Sequence, residues 1–233
     1  MGDEICMTEK KNKILQCSQL SKSYQNGQAE TSVLNQVSLT FYEGTINLIY
    51  GKSGSGKTTL LNLLASLENP TKGEISFKGQ IYSKMKEKQL AKLRGENFGF
   101  VFQSYHLIPR ISVKENIYCP AYINGKKVDR KYYQFLIKNL GIEALEDKMP
   151  MQLSGGEQQR VAIARAMILK PEIIFADEPT GNLDSENTEM ITALFQDLNQ
   201  NYHTTFIIVT HEENLIEDCD QIIRIRDGET SDK

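Results

Sequence analysis

The stretch "INLIYGKSGSGKTTLLNLLASL" constrains this chain more than any other. A short apolar run, Ile46 to Tyr50, leads directly into "GKSGSGKT" at Gly51 to Thr58, which satisfies G-x-x-x-x-G-K-[ST] at every fixed position. Leu60, Leu63, Leu64 and Leu67 then recur at i, i+3, i+4 and i+7, the period of a helix with one apolar face. A buried strand, a glycine loop and a helix in this order predict an α/β core that cradles phosphate. Gly51, Gly54 and Gly56 let the backbone come close enough for its N–H groups to face phosphate oxygens, and the helix start favours an anion. Ser53, Ser55 and Thr59 belong to the same cradle. Lys57 is placed to reach β- and γ-phosphates, and the Thr58 hydroxyl to ligate Mg²⁺.

A second apolar run, in "IIFADEP" (Ile173 to Pro179), ends in two adjacent carboxylates. At the C-terminal end of a strand Asp177 can hold Mg²⁺ through water, while Glu178 points the other way and can polarise an attacking water. Binding and hydrolysis of a nucleoside triphosphate follow from the two motifs together.

Around them, "ILQCSQLSKSY" and "SVLNQVSLTFYEGTINLIYG" read as a small sheet feeding the buried strand, and "ENPTKGEISFKGQIYSK" as a turn and a further hairpin. From Ser104 to about Gln152 the chain turns helical and polar, as an insertion would. "PEIIFADEPTG" and "TTFIIVTHE" read as buried parallel strands, and "DQIIRIRDGE" as a closing hairpin turning at Asp227-Gly228.

Bulk composition excludes several function classes. The 233 residues allow one domain with an inserted lobe, and runs such as "FIIV" are far too short to cross a bilayer. A net charge of −3 without a basic block lacks the footprint of a nucleic-acid binder. Cys6, Cys17, Cys119 and Cys219 are scattered, with no C-x-x-C pair, and predict reduced thiols rather than zinc or disulfides. The opening "MGDEICMTEKKNK" has neither the basic start and apolar stretch of a signal peptide nor a myristoylation motif, so no export or anchoring is expected.

A second glycine-rich helix start stands at "MQLSGGEQQRVAIARA", Met151 to Ala166. Ser154 and Glu157 fit a capping box, which accounts for a well-ended helix but does not require Gly155 and Gly156. Two missing side chains suggest close approach by something, and an exposed helix start is a second anion site.

"LSGGEQQR" resembles the signature of ATP-binding cassette (ABC) ATPases, and the resemblance covers nearly the whole chain. It implies a P-loop NTPase (RecA-like) α/β core with an N-terminal antiparallel β subdomain (core 1–103 and 153–233) and an inserted α-helical subdomain (104–152). It also implies that two copies dimerise head to tail, each ATP held by the P-loop of one and by Ser154, Gly155 and Gly156 of the other. Further family positions fall on Tyr24 (adenine stacking), Gln103 in "FVFQ" (sensing Mg²⁺ and the attacking water), Asp184 in "GNLD" (crossing the dimer interface) and His211 in "IIVTHE" (γ-phosphate contact). Lys57, Gln103, Glu178 and His211 are the catalytic set so implied. His106 and His203 match nothing catalytic.

A cassette of this kind works on separate transmembrane permease subunits, which place it at the cytoplasmic face of the cell membrane. Phe102, Tyr105, Leu107 and Ile108 are the candidates for that contact, with core packing as their alternative. Within the family, "FVFQSYHLIPRISVKENIYCP" and the compact helical stretch look most similar to the group of macrolide-efflux, lipoprotein-release and antimicrobial-peptide exporters. A translation factor would carry two cassettes, and a chromosome-type cassette a long coiled coil before the signature. A regulatory ATPase that transmits force without transport stays open at this point.

Overall fold

A computed structural model describes residues 12–27, 29–181, 183–216 and 218–232. Cys6 and the rest of the opening stretch to Lys11 lie outside the described residues.

Two sheets form the frame. β1 (Lys13–Asn26), β2 (Ala29–Tyr42), β4 (Lys72–Phe77) and β5 (Gln80–Ile81) make an antiparallel sheet in the order β2-β1-β4-β5. The second sheet runs β10-β9-β3-β8-β7-β6. It comprises β3 (Ile46–Tyr50), β6 (Phe98–Val101), β7 (Ile173–Asp177), β8 (Thr205–Thr210), β9 (Gln221–Arg226) and β10 (Glu229–Asp232). All its pairings are parallel except the β9–β10 hairpin, which turns through left-handed Asp227 and Gly228 as expected.

Among the described residues six α-helices accompany the sheets: α1 (Lys57–Leu64), α2 (Glu87–Asn97), α3 (Val113–Ile123), α4 (Arg130–Asn139), α5 (Gly155–Met167) and α6 (Ser185–Tyr202). Ser112, Asp129, Ser154 and Asp184 each accept backbone N–H bonds as side-chain N-caps of α3, α4, α5 and α6, so local chemistry fixes where these helices begin.

Alternation along the parallel strands divides the interior in two. Ile46, Leu48, Ile174, Ala176, Phe206 and Ile208 face one core, shared with α3, α4, α5 and α6. Ile49, Ile173, Phe175, Ile207 and Val209 face the other, shared with α1 and the antiparallel sheet. The unbroken apolar runs Ile173–Ala176 and Phe206–Val209, four residues each, are what burial on both faces demands.

Two elements depart from the sequence reading. α1 stops at Leu64, short of the leucine period, because Ser66 turns left-handed at φ 54°. Ser66 N then bonds Leu63 O at 3.0 Å and Leu67 N bonds Asn62 O at 2.8 Å, a Schellman ending that leaves Leu67 exposed. The helical texture also begins earlier than Ser104: α2 precedes β6, and it buries only Leu90 and Leu93. Two apolar residues give almost no periodic signal.

Candidate functional site

The loop after β3 holds its shape by close approach. A Cβ on Gly51 would collide with the Ile225 carbonyl of β9 and lie 2.8 Å from Ser55 Oγ. The Ser55 hydroxyl is buried there and finds no partner among the described residues, while Ser55 N bonds Lys52 O at 3.2 Å. Gly51 therefore lets the loop close against β9, Ser55 O accepts from Gly228 N at 3.3 Å at the turn beyond that strand, and Ser53, Gly54, Gly56, Lys57, Thr58 and Thr59 line the concave side. Gly56, at φ 101°, starts α1. Lys57 Nζ donates to Gly51 O at 2.8 Å and to Lys52 O at 3.1 Å, curled within the loop.

Gln103, Glu178 and His211 close the other side of a cavity of about 550 Å³. Each stands at or just beyond the C-terminal end of a parallel strand, where open α/β sheets bind ligands. Thr58 Oγ1 donates to Asp177 Oδ1 at 3.2 Å, so the loop and the end of β7 already meet. Burial raises the Asp177 carboxyl above its ordinary value; Glu178 adds to the rise, and the Thr58 hydroxyl and Lys57 oppose it. Glu178 follows in a left-handed conformation, φ 48°, and its Oε2 lies 2.7 Å from His211 Nδ1.

Tyr24 stands at the rim rather than in the cavity. Its hydroxyl donates to Glu68 Oε2 at 2.7 Å, and Lys22 Nζ lies 4.9 Å from the ring centroid. Burial raises its phenol pKa and Glu68 adds to the rise, while the neighbouring Thr59 hydroxyl opposes it.

Ser154, Gly155, Gly156 and Asp184 do not line this cavity. The Ser154 and Glu157 capping box is formed, at 3.3 Å and 2.7 Å. Part of the close approach inferred for the glycines comes from within the chain: a Cβ on Gly155 would sit 3.0 Å from the Tyr105 hydroxyl, and one on Gly156 3.3 Å from Leu183 Cδ2. Asp184 caps α6, accepting from Asn187 N at 2.9 Å and Asn187 Nδ2 at 2.8 Å. His203, left-handed at φ 53°, ends the same helix.

A separate, largely apolar cavity of about 390 Å³ opens between α2, β6, α3 and α5. Of the four residues offered from sequence for contact with a membrane partner, Phe102 and Ile108 line this cavity; Tyr105 and Leu107 do not. Leu107 packs on the core beneath the helices, and Tyr105 turns to Gly155. Cys119, Pro120 and Ile123 from α3 also line the cavity, and the sequence did not group them with Phe102 and Ile108 because a lining spread over a loop and three elements has no period.

Strand, phosphate loop, paired carboxylates and a histidine around one cavity define a P-loop nucleoside triphosphatase. The chain belongs to the ABC transporter family, whose model matches residues 34–181. It is 44% identical over 220 residues to the lipoprotein-releasing system ATP-binding protein LolD of Buchnera aphidicola subsp. Acyrthosiphon pisum, covering 94% of this chain and 96% of that one. To LolD of Idiomarina loihiensis it is 43% identical over 217 residues, covering 92% and 95%. Its fold is similar to the dimeric post-hydrolysis state of the ATP-binding cassette MJ0796 bound to ADP and Pi (TM-score 0.89, 36% identity, 94% of this chain and 98% of that chain). A further dimeric MJ0796 structure, a bacterial ABC transporter cassette, gives a TM-score of 0.88 at 37% identity, covering 94% and 97%. The protein is thus an ATP-binding, ATP-hydrolysing subunit of an ABC transporter, within the exporter group the motifs indicated.

Proposed function

We propose that this chain drives the release of lipoproteins from a membrane, working on separate transmembrane permease subunits at the cytoplasmic face. The observation that carries this reading is the 43–44% identity, over nearly the whole chain, to proteins named for a lipoprotein-releasing system. Among the described residues no helix is long and apolar enough to cross a membrane, so the permease supplies the spans. Its docking site is the apolar cavity at Phe102 and Ile108, flanked by Ile123, 78% exposed, and Tyr122, 67% exposed. Residues 104–152 act as the lobe that meets it, and 1–103 with 153–233 as the nucleotide-binding core.

Bound ATP with Mg²⁺ supplies a γ-phosphoryl group whose transfer to water asks mainly for positioning and charge neutralisation. The donor set suits Mg²⁺: the Thr58 hydroxyl, the Asp177 carboxylate and the Gln103 amide are all hard oxygen ligands, and the first two already touch. Asp177 would hold the metal through a bound water. Lys57 exchanges its loop carbonyls for the β- and γ-phosphates, Glu178 takes a proton from water, His211 contacts the γ-phosphate and Tyr24 stacks on adenine. Ser154, Gly155 and Gly156, at the start of α5, complete the site of a second copy, with Asp184 at the seam; two such sites follow from a two-fold pair.

Light scattering on Glu178→Gln tests the composite site. With ATP and Mg²⁺ the variant should become a dimer, and adding Gly155→Asp, which sets a carboxylate against the partner's phosphate, should return it to monomer. ATP bound to a persistent monomer overturns the composite site. Proteoliposomes carrying the permease and a lipid-anchored protein test the substrate: release should require ATP and stop in Glu178→Gln. ATP turnover without release overturns the substrate reading.

A further inference from the structure

The turn that carries Gln103 is strained and is held from one side. Tyr105 and His106 are consecutive non-glycine residues in the left-handed region, at φ 59° and 48°. Such a pair persists only where surroundings over-determine it. Local bonds contribute, Tyr105 N to Phe102 O at 3.1 Å and His106 N to Ser104 O at 2.6 Å, and the Phe102 and His106 rings lie 4.8 Å apart. The outside restraint is Arg165, near the end of α5. Its Nη1 donates to His106 O at 2.5 Å and its Nη2 to Tyr105 O at 2.7 Å. One planar guanidinium takes both carbonyls that the left-handed pair turns toward it, a geometry a single ammonium does not reproduce. Among the described residues Arg165 has no carboxylate within ion-pair distance, and burial lowers its pKa, so these carbonyls are its main compensation.

At the other end of α5, Gly155 lies under the Tyr105 hydroxyl. The same helix therefore lies against the turn at both its ends and bonds it at Arg165.

We infer that Arg165 is a positioning residue for ATP hydrolysis: by clasping the Tyr105–His106 turn to α5, it holds Gln103 over the phosphate cavity. The inference rests on the reading of Gln103 as a Mg²⁺-sensing residue. It also makes α5 the link between the two sites of a dimer, since the helix that meets the partner's nucleotide at Ser154 fixes Gln103 in its own site.

A double-mutant cycle tests it, with Arg165→Met, Gln103→Ala and the pair, reading kcat and KM for ATP hydrolysis beside equilibrium binding of a fluorescent ATP analogue. Arg165→Met should lower kcat by about ten- to a hundredfold, as misplacement of a positioned group does, with ATP affinity within about twofold. The double variant should be no slower than Gln103→Ala alone. Arg165→Lys, which keeps charge and stem, should show the same non-additivity at a smaller loss and serves if Arg165→Met does not fold. Multiplying losses, or a lowered melting temperature with kcat per folded molecule unchanged, overturns the inference. If Gln103→Ala itself hydrolyses ATP normally, the reading of Gln103 falls and the inference with it; a slow Gln103→Ala with multiplying losses sinks the inference alone.

Discussion

His211 Nδ1 and Glu178 Oε2 lie 2.7 Å apart, joining the ends of two adjacent parallel strands across the phosphate cavity. The contact fixes the carboxylate that follows Asp177 in a left-handed backbone, where a β-branched residue would not be tolerated.

Glu178→Gln keeps the size and hydrogen bonding of this side chain and removes its basicity. Phosphate release should fall by about 10²- to 10⁴-fold, the range of a positioned general base, while ATP affinity holds. His211→Ala should slow hydrolysis too, with the remaining rate still dependent on Glu178. A Glu178→Gln protein releasing phosphate at a tenth of the parent rate would place the base elsewhere.

Asp177 links the site to stability. Burial raises its carboxyl, so the folded chain keeps this proton to higher pH than the unfolded chain. Its contribution is most favourable at low pH and is lost as pH rises from the ordinary value of 3.8 through the folded one. Asp177→Asn should therefore melt higher than the parent at neutral pH without Mg²⁺, and the gap should close as pH falls toward 3.8. Hydrolysis in the same variant should drop by about a hundredfold or more, as loss of an electrostatic partner of the reacting phosphate implies. Equal melting curves at neutral pH would show that the Thr58 bond and Lys57 already offset the burial.

The loop glycines should divide sharply. Gly51→Ala drives a Cβ into the Ile225 carbonyl, backbone that cannot swing aside, and should cost about 3 kcal/mol. Gly54 has nothing within 4 Å of its Cβ position, so Gly54→Ala bears only the left-handed strain of φ 78°, about 1 kcal/mol. Urea denaturation of the two variants measures the difference, and a reversed order would remove the β9 contact as the reason for Gly51.

Much of this was legible before the fold. The P-loop glycines, the apolar strands and the capping box at Ser154 are local rules, so sequence exposes them directly. What sequence hid was set by tertiary contact. Leu67 continues the leucine period, yet left-handed Ser66 ends α1 and sends that leucine to the rim of the apolar cavity. Ser55 reads as a cradle residue from sequence, and its buried hydroxyl lies 2.8 Å from the Cβ position of Gly51, a closeness only the fold shows. Tyr105 and Leu107 sit between Phe102 and Ile108 in sequence and face elsewhere, since the left-handed turn at Tyr105–His106 breaks any regular alternation. Arg165 looks like an ordinary helix-surface charge; only the path of the Gln103 turn gives it partners.

Asn116 is the residue of this kind with the largest expected effect on stability. It is fully buried on α3, accepts from Ile108 N at 2.7 Å, and donates to the carbonyls of Ile108, Ile111 and Ser112 at 3.0–3.1 Å. One side chain thus supplies the hydrogen bonds of the loop that bears Ile108, at the rim of the apolar cavity. Asn116→Ala leaves Ile108 N and Ile111 O without this partner, while Ser112 O keeps the Asn116 backbone N–H, and should destabilise the protein by about 2–3 kcal/mol, as loss of a buried hydrogen-bonded network does. Because Asn116 is remote from the phosphate cavity, ATP affinity measured below the melting transition should stay within about twofold of the parent. Permease binding, followed by co-purification from membranes, should weaken as the Ile108 loop loosens. Unchanged stability would mean that water replaces the amide, and a lost ATP affinity would mean that the loop and the phosphate cavity are coupled more tightly than their separate linings indicate.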